Sequence, residues 1–321
     1  MRGQGPFPHH NHQNIKGTMK RPHVTTGGMT VRLLLMLGLL LGSGLQAQAQ
    51  EYKPFMLAYS ATGTIASQLD SVRSKIARAG FEIVGEYSPY KGAMILVITN
   101  EALQQEAAKT EFGGYGAALR VTLTEANGGV QVAYTHPGYM AGAYRMDSDL
   151  AFATQALARE LGAQEPYGME GGMDKDDLNN YHYMFGMEYF DEPSELGSFS
   201  SHALAVMTVA MGLAAGNGGT SEVYRINIPG KREVLFGVAL TQDCSGDEYI
   251  MSRIDFNTPR STGHLPYEIL VSGNEVYALY ARFRIAVNFP DLAMAGSNSF
   301  FSIMCAPDAI EEALLEVTGQ E

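Results

Sequence analysis

The sequence predicts an α+β fold built from two tandem, similar units, each an antiparallel sheet covered by helices. Strand-like runs come in pairs around turn signals, and helical segments fall between these pairs, as in α+β folds with antiparallel sheets. The same order of segments occurs twice along the chain. Three residue pairs keep a constant offset of 140 positions between the two copies: Glu82/Glu222, Pro89/Pro229 and Lys91/Lys231.

The first unit begins with a strand and a helix. Residues 55–59 form an apolar run, and residues 64–79 place apolar side chains at helical spacing. Thr62 or Thr64 is available as the N-cap of this helix, and Gly80 is available as its C-terminal glycine. A strand followed by a capped helix is therefore expected here.

Two hairpins and a closing helix complete the first unit. The first hairpin turns at residues 88–92, which contain Pro and Gly. The second turns at residues 127–129, an Asn-Gly-Gly sequence typical of hairpins. The predicted strands cover 81–87, 93–98, 117–124 and 130–134, and the closing helix covers 148–161.

The second unit repeats this order. An apolar helix at 202–215 ends near a glycine pair, and the turns lie at residues 229–231 and 272–274. By the same correspondence, the His-Pro turn at 136–137 matches the Phe-Pro sequence at 289–290. The predicted strands cover 222–228, 234–240, 267–271 and 276–287, and the closing helix covers 307–317.

These segments resemble the bacterial family called domain of unknown function 302. The similarity lies in the helix before Gly80, in the Gly-Gly-Tyr segment at 113–120 and in the His-Pro turn at 136–137 before a closing helix. It covers both halves of the chain, at about 55–162 and 199–319. The resemblance implies a compact α+β fold related to a small thermophile protein of that type, and it implies no activity.

The chain divides into four segments. Residues 1–49 combine an upstream extension with a signal peptide, because Arg32 precedes an apolar run at 33–45 and Ala-Gln-Ala follows at 47–49. This run is shorter than the ~20 apolar residues that span a bilayer. We therefore expect cleavage after Ala49, no membrane span after cleavage, and a periplasmic or secreted product. The other segments are the first unit at 50–163, a Met- and Tyr-rich join at 164–197 and the second unit at 198–321.

The charge of the expected product argues against nucleic acid as a partner. Residues 1–49 hold five basic and no acidic side chains, so the remainder has 17 basic and 34 acidic ones, a net charge of −17. Such a surface repels phosphate backbones and anionic lipid.

The chain has two cysteines, Cys244 and Cys305. In an oxidising compartment an even pair is expected to form a disulfide. The alternative is two buried, unpaired thiols.

The join contains a cluster of soft ligand atoms. His182, Met184 and Met187 offer an imidazole and two thioethers, which suit Cu(I) or haem iron. The alternative is that the methionines and aromatics at 181–190 fill a core, in which case Phe185 should be buried. The sequence favours packing and leaves a haem or copper site as the rival interpretation.

A second constellation is an arginine pair, Arg282 and Arg284. On a strand the two guanidiniums would share one face, where they can hold a carboxylate or phosphate group. The alternative is an internal ion pair with Glu268 or Glu275. We expect a ligand between the two units, since clefts between domains favour binding. The residues expected to line this ligand site are Arg282, Arg284, Tyr183 and His264.

The sequence contains none of the strong catalytic motifs. Gly-x-Ser-x-Gly, His-Glu-x-x-His, Walker A and dinucleotide fingerprints are all missing. His136 and His264 each lie at a turn near proline, where a histidine is either a general base of a dispersed enzyme site or a turn residue. We therefore expect an exported protein that binds a small molecule or a periplasmic protein rather than an enzyme. The sequence names neither the ligand nor a cofactor.

Overall fold

The computed structural model describes residues 50–320. The predicted signal peptide and its cleavage site at Ala49 lie outside the described residues. Within 50–320 the chain is α+β, with helices and two antiparallel sheets, as predicted. In this described part, no helix combines the length and the apolar character needed to cross a membrane.

The first unit opens with the predicted strand and helix. The Thr64 hydroxyl accepts a hydrogen bond from the Ser67 amide at 3.4 Å, and the Ser67 hydroxyl accepts one from the Thr64 amide at 3.1 Å. This capping box satisfies two backbone donors and starts the helix. The elements of the unit are β1 (Phe55–Ala61), α1 (Ile65–Arg78), β2 (Glu82–Tyr87), β3 (Ala93–Thr99), α2 (Glu101–Ala107), β4 (Leu119–Ala126), β5 (Gly129–Thr135), α3 (Pro137–Ala143), α4 (Ala151–Glu160) and β6 (Glu165–Tyr167).

The second unit follows a short helix, α5 (Lys175–Asn179). Its long helix is capped at the N-terminus by Ser201, whose hydroxyl accepts from the Leu204 amide at 3.2 Å, and at the C-terminus by Gly216 in the left-handed conformation. The elements of the unit are β7 (Ser194–Ser198), α6 (His202–Ala215), β8 (Thr220–Asn227), β9 (Glu233–Leu240), α7 (Asp247–Ile254), β10 (Tyr267–Ser272), β11 (Glu275–Ala278), α8 (Ala281–Asn288) and α9 (Ala306–Thr318).

The two sheets share one order of connected strands. The first sheet has the order β2-β3-β4-β5-β1, with β6 added beside β1, and the second has the order β8-β9-β10-β11-β7. Neighbouring strands are antiparallel throughout. A β-bulge interrupts the first hairpin of each sheet, between Ile83 and Gly85 in β2 and between Glu222 and Tyr224 in β8. The units are therefore similar in topology.

The two sheets face each other, and helices cover their outer sides. Helix α1 contacts β2, β3 and β4, while α6 contacts β8, β10 and β11. On the inner side, Arg120 of β4 reaches Glu268 of β10, and both side chains are buried. Strands β2 and β8 also touch. Gly85 permits this approach, because a Cβ there would lie 2.7 Å from the Val223 carbonyl oxygen.

The segment after β11 corrects the sequence prediction. The sequence predicts one strand over 276–287, but β11 ends at Ala278 and α8 follows it. Helix α8 is buried on nearly all sides, so its apolar residues show no one-sided helical pattern and imitate the alternation of a strand. Arg282 and Arg284 therefore do not share a face, since residues two apart on a helix do not face each other.

The His-Pro turn also has a different counterpart from the predicted one. Pro137 begins α3 directly after β5, and the helix that directly follows β11 is α8, which begins at Ala281. The predicted match with 289–290 is wrong, because those residues follow α8 instead of preceding it. Within the predicted join, β6 pairs with β1, and β7 begins at Ser194.

Candidate functional site

A cleft of about 400 Å³ opens between the two units. Strand β6 and the loop after it form one wall, the loop after α7 forms a second wall, and the segment after α8 forms a third. Because both units contribute walls, the cleft exists only where they meet. Its charged and aromatic lining residues include Lys53, Tyr167, Glu170, Asp255, Phe256 and Asp291.

The loop after α7 is held against the first sheet by hydrogen bonds. The Gln131 side chain donates to the Arg260 carbonyl oxygen at 2.8 Å and accepts from the Arg260 amide at 2.6 Å. The Tyr167 hydroxyl donates to the same carbonyl oxygen at 2.8 Å. Gln131 belongs to β5 and Tyr167 to β6. The sheet of one unit therefore positions a loop of the other.

Asp255 is the most unusual group in this wall. It follows the last residue of α7 and is 4% exposed. Its Oδ1 accepts a hydrogen bond from the Ser261 amide at 2.9 Å, whereas its buried Oδ2 has no hydrogen-bond partner among residues 50–320. Burial raises the pKa of this carboxyl to about 6, although the Ser261 amide and the charge of Arg260 act in the opposite direction. A buried acceptor without a partner costs about 1–3 kcal/mol, so a donor that reached Oδ2 would offset this cost.

The rim of the cleft carries negative charge. Three exposed acidic residues line it, Glu165, Glu170 and Asp291. The basic residue in the lining is Lys53, whose Nζ donates to the carbonyl oxygens of Met169 and Glu170 at 2.9 and 3.0 Å. Because the four carboxylates of the lining outnumber this one lysine, the field inside the cleft favours a cation.

The acidic groups of the cleft do not form a metal site. Within residues 50–320, no group of three or more His, Cys, Asp or Glu side chains is arranged to hold a metal ion. Part of the lining is apolar, and Phe256, Met169 and Leu292 contribute to it. The cleft can therefore hold an organic molecule that has both a charged end and an apolar part.

A second group of charged residues lies between the sheets. The Glu268 carboxylate accepts from the Arg120 guanidinium and from the Tyr224 hydroxyl, the latter at 2.9 Å, and it lies 3.3 Å from Arg284 Nε. His264 Nδ1 lies 3.4 Å from the same Arg284 guanidinium. Burial and the charges of Arg284 and Arg120 hold the pKa of His264 well below its usual value. This enclosed cluster ties the two units together.

The structure divides the four predicted ligand-site residues between two places. Arg284 and His264 belong to the buried cluster, where Arg284 forms the internal ion pair with Glu268 that was the alternative interpretation. Arg282 and Tyr183 line a small apolar depression, and Arg282 pairs with a glutamate of the join. These four residues do not line the 400 Å³ cleft.

The join is only partly packed. Phe190 is buried and stacks on Tyr144, with ring centroids 5.6 Å apart. Phe185 is 100% exposed, so the prediction that it is buried is wrong. A turn closed by the Met187 amide, which donates to the Met184 carbonyl oxygen at 3.0 Å, carries Phe185 away from the core.

The soft-ligand residues of the join have ordinary contacts. The His182 ring lies against Tyr189, with centroids 4.4 Å apart, and its Nδ1 lies 3.5 Å from the Asn180 carbonyl oxygen. Met184 is 46% exposed, and Met187 lines the apolar depression. These contacts add no support for a haem or copper site, which stays a prediction.

His136 has a structural role at the start of α3. Its Nδ1 accepts from the Tyr139 amide at 3.4 Å, and its ring lies against Tyr52, with centroids 5.4 Å apart. Burial lowers the pKa of His136 to about 4, so the imidazole is neutral at pH 7. His136 is not among the residues that line the cleft.

Cys244 and Cys305 form the predicted disulfide. Their Cα atoms are 5.9 Å apart, within the usual range for such a bond. The bond links the short 3₁₀ turn at Asp243–Ser245 to the residue that precedes α9.

Sequence reasoning missed the cleft residues. Asp255 follows α7, a helix that the sequence did not predict, and its burial depends on a loop held by Gln131, far away in the chain. A usable signal was the Asn-Thr-Pro sequence at 257–259, which indicates a loop. Loops held by a rigid scaffold often carry binding residues.

Comparisons of the chain with protein-family models, with curated proteins and with solved structures give no match. The function is therefore inferred from the geometry of the site.

Proposed function

We propose that this chain is an exported protein that binds a small molecule in the cleft between its two units. The observation that carries the proposal is a cleft of about 400 Å³ with walls from both units. One wall is tied across the boundary through Gln131 and Tyr167, so the cleft is formed before a ligand arrives. Ligand sites are typically preformed concave sites of this size class, and they favour domain interfaces.

Binding is favoured over catalysis by the placement of the two histidines that the sequence singled out. His136 caps α3, and His264 contacts Arg284 inside the core. Neither histidine is part of the cleft lining. Among the described residues, the lining contains no histidine and no cysteine. Its one serine, Ser261, contacts the Asp255 carboxyl through its backbone amide.

Export to the periplasm or the exterior is supported by the signal-peptide pattern and by the disulfide between Cys244 and Cys305. N-terminal sequencing of the exported protein is expected to begin at Gln50. A mature chain that retains residues 33–45 would contradict cleavage.

The two units are proposed to be a duplication of one domain of the family called domain of unknown function 302. The common strand order and the bulge in the first hairpin of each sheet support the duplication. Experimental structures of the two units should superpose strand for strand in that order. Different connections between the matched strands would contradict duplication.

The binding proposal is tested by filling the cleft. Ala293 is an exposed residue of the lining, so Ala293→Trp adds a large ring inside the cleft. The matched control is Ala203→Trp, which places the same ring on the exposed surface of α6. A fragment library is screened against the wild type and both variants by ligand-observed NMR.

Fragments should bind the wild type and Ala203→Trp, and the same fragments should be lost from Ala293→Trp. Circular dichroism checks that each variant keeps the wild-type fold. Fragments that bind Ala293→Trp as well as they bind the wild type would show that the cleft is not the binding site.

A further inference from the structure

We infer that the ligand of the cleft is an organic amine in its protonated form, and that the Asp255 carboxylate is its counter-ion. This inference rests on the proposed function, because it names the class of molecule that the same cleft takes.

The first argument is the hydrogen-bonding state of Asp255. Its Oδ1 is used by the Ser261 amide, while its Oδ2 is buried and lacks a partner among the described residues. A buried carboxylate oxygen in this state carries a desolvation cost that a donor can offset. An ammonium group supplies both the donor and the opposite charge, which makes the hydrogen bond stronger than one from a neutral donor.

The second argument is the charge around the cleft. Glu165, Glu170 and Asp291 add negative charge, and Lys53 already donates to two backbone carbonyl oxygens. The nearby Arg260 donates to the Asp255 backbone carbonyl oxygen and is not among the lining residues. An anionic ligand would meet four carboxylates and one lysine in the lining, so a cation is favoured.

The third argument separates an organic cation from a metal ion. Among residues 50–320, no group of three or more His, Cys, Asp or Glu side chains could share a metal. The cleft is also far larger than an ion needs, and its lining includes the half-exposed ring of Phe256. An aromatic face beside a carboxylate suits an amine with an apolar chain or ring, because ring and ammonium attract each other.

The inference is tested with pairs of probes that differ in charge but little in shape. The pairs are putrescine with 1,4-butanediol, and 2-phenylethylamine with 2-phenylethanol. Affinities are measured by calorimetry at pH 7.5 for the wild type, Asp255→Asn and the control Asp70→Asn. Asp70 lies on α1 with a side chain that is 97% exposed.

For at least one pair of probes, the amine should bind more tightly than the matching alcohol, both to the wild type and to Asp70→Asn. Asp255→Asn should weaken amine binding by about tenfold or more, because a charge-assisted hydrogen bond is lost. Asparagine keeps an oxygen for the Ser261 amide, and a thermal melt checks that the variant folds. Added salt should weaken binding of the amine but not of the alcohol.

Equal affinity for amine and alcohol, no effect of Asp255→Asn, or no binding of either amine would overturn the inference. The proposed function fails separately. It fails if a probe or fragment that binds the wild type binds Ala293→Trp equally well. Neutral molecules that bind the wild type and are lost from Ala293→Trp would leave the proposed function intact and remove the amine assignment.

Discussion

Glu268 is the single carboxylate in the buried cluster that joins the two sheets. It lies between Arg120 and Arg284, and it also accepts a hydrogen bond from the Tyr224 hydroxyl. Glu268→Gln removes the negative charge but keeps the size of the side chain and an oxygen for Tyr224. The variant therefore leaves two guanidiniums facing each other without the carboxylate that lies between them.

The size of the effect follows from burial. The side chains of Arg120 and Arg284 are 1% and 2% exposed, so water does not screen the uncompensated charges. Removing one partner of a buried ion pair costs about 3–5 kcal/mol. Because glutamine leaves no cavity, we assign the whole of this expected loss to charge.

The loss is measured by urea unfolding followed by far-UV circular dichroism, since the chain contains no tryptophan. The matched control is Glu86→Gln, which breaks the ion pair with Arg73 at the surface, where the two side chains are 42% and 38% exposed. A surface pair of this kind contributes about 0–1 kcal/mol. If Glu268→Gln costs no more than Glu86→Gln, the reasoning from the buried cluster is refuted.

Three further predictions concern pH, packing and metal binding. Burial raises the pKa of Asp247 to about 7 from 3.8. The folded state therefore holds this proton more tightly, and the contribution of Asp247 to stability should fall as the pH rises from about 4 to 8. Relative to wild type, Asp247→Asn should gain on the order of 4 kcal/mol in free energy of unfolding over that range, and a pH-independent difference would contradict this. Phe190→Ala should cost about 3–5 kcal/mol in urea unfolding, whereas Phe185→Ala should change stability by less than about 0.5 kcal/mol because Phe185 is fully exposed; equal losses would rule out the described packing. His182→Ala should leave the copper and haem content of purified protein unchanged, and loss of a bound metal or chromophore would support the soft-metal interpretation.

Local sequence signals predicted the elements whose structure is decided locally. The helix at 202–215 was predicted with its observed bounds, and the Asn-Gly-Gly turn fixed the hairpin between β4 and β5. Helix α8 was missed because burial on nearly all sides removes the periodic pattern that marks a helix. A helical pattern in the sequence reflects the contrast between a solvent-exposed face and a buried face, and α8 has little such contrast.

The candidate site was beyond the reach of the sequence for a different reason. The unpaired oxygen of Asp255 depends on a loop that Gln131 holds from the other unit, and the charge of Glu268 is matched by Arg120 from the facing sheet. Neither relation leaves a local motif, because each pair is more than a hundred residues apart in the chain. The sequence did name an ion pair with Glu268 as the alternative interpretation for the arginine pair, and the buried Arg284 forms it.

Arg120 and Glu268 occupy equivalent positions in the two sheets. In the first sheet, Arg120 pairs with Val97, which pairs in turn with Gly85, the residue after the bulge of β2. In the second sheet, Glu268 pairs with Gly237, which pairs in turn with Tyr224, the residue after the bulge of β8. Two identical units would bring like charges together at this contact, and buried like charges are unfavourable. Gly237 adds a second difference, because a Cβ there would lie 2.0 Å from the Tyr224 ring, whose hydroxyl reaches Glu268. The units therefore share a topology but must differ in side chains where they meet, and the cleft arises at this same asymmetric boundary.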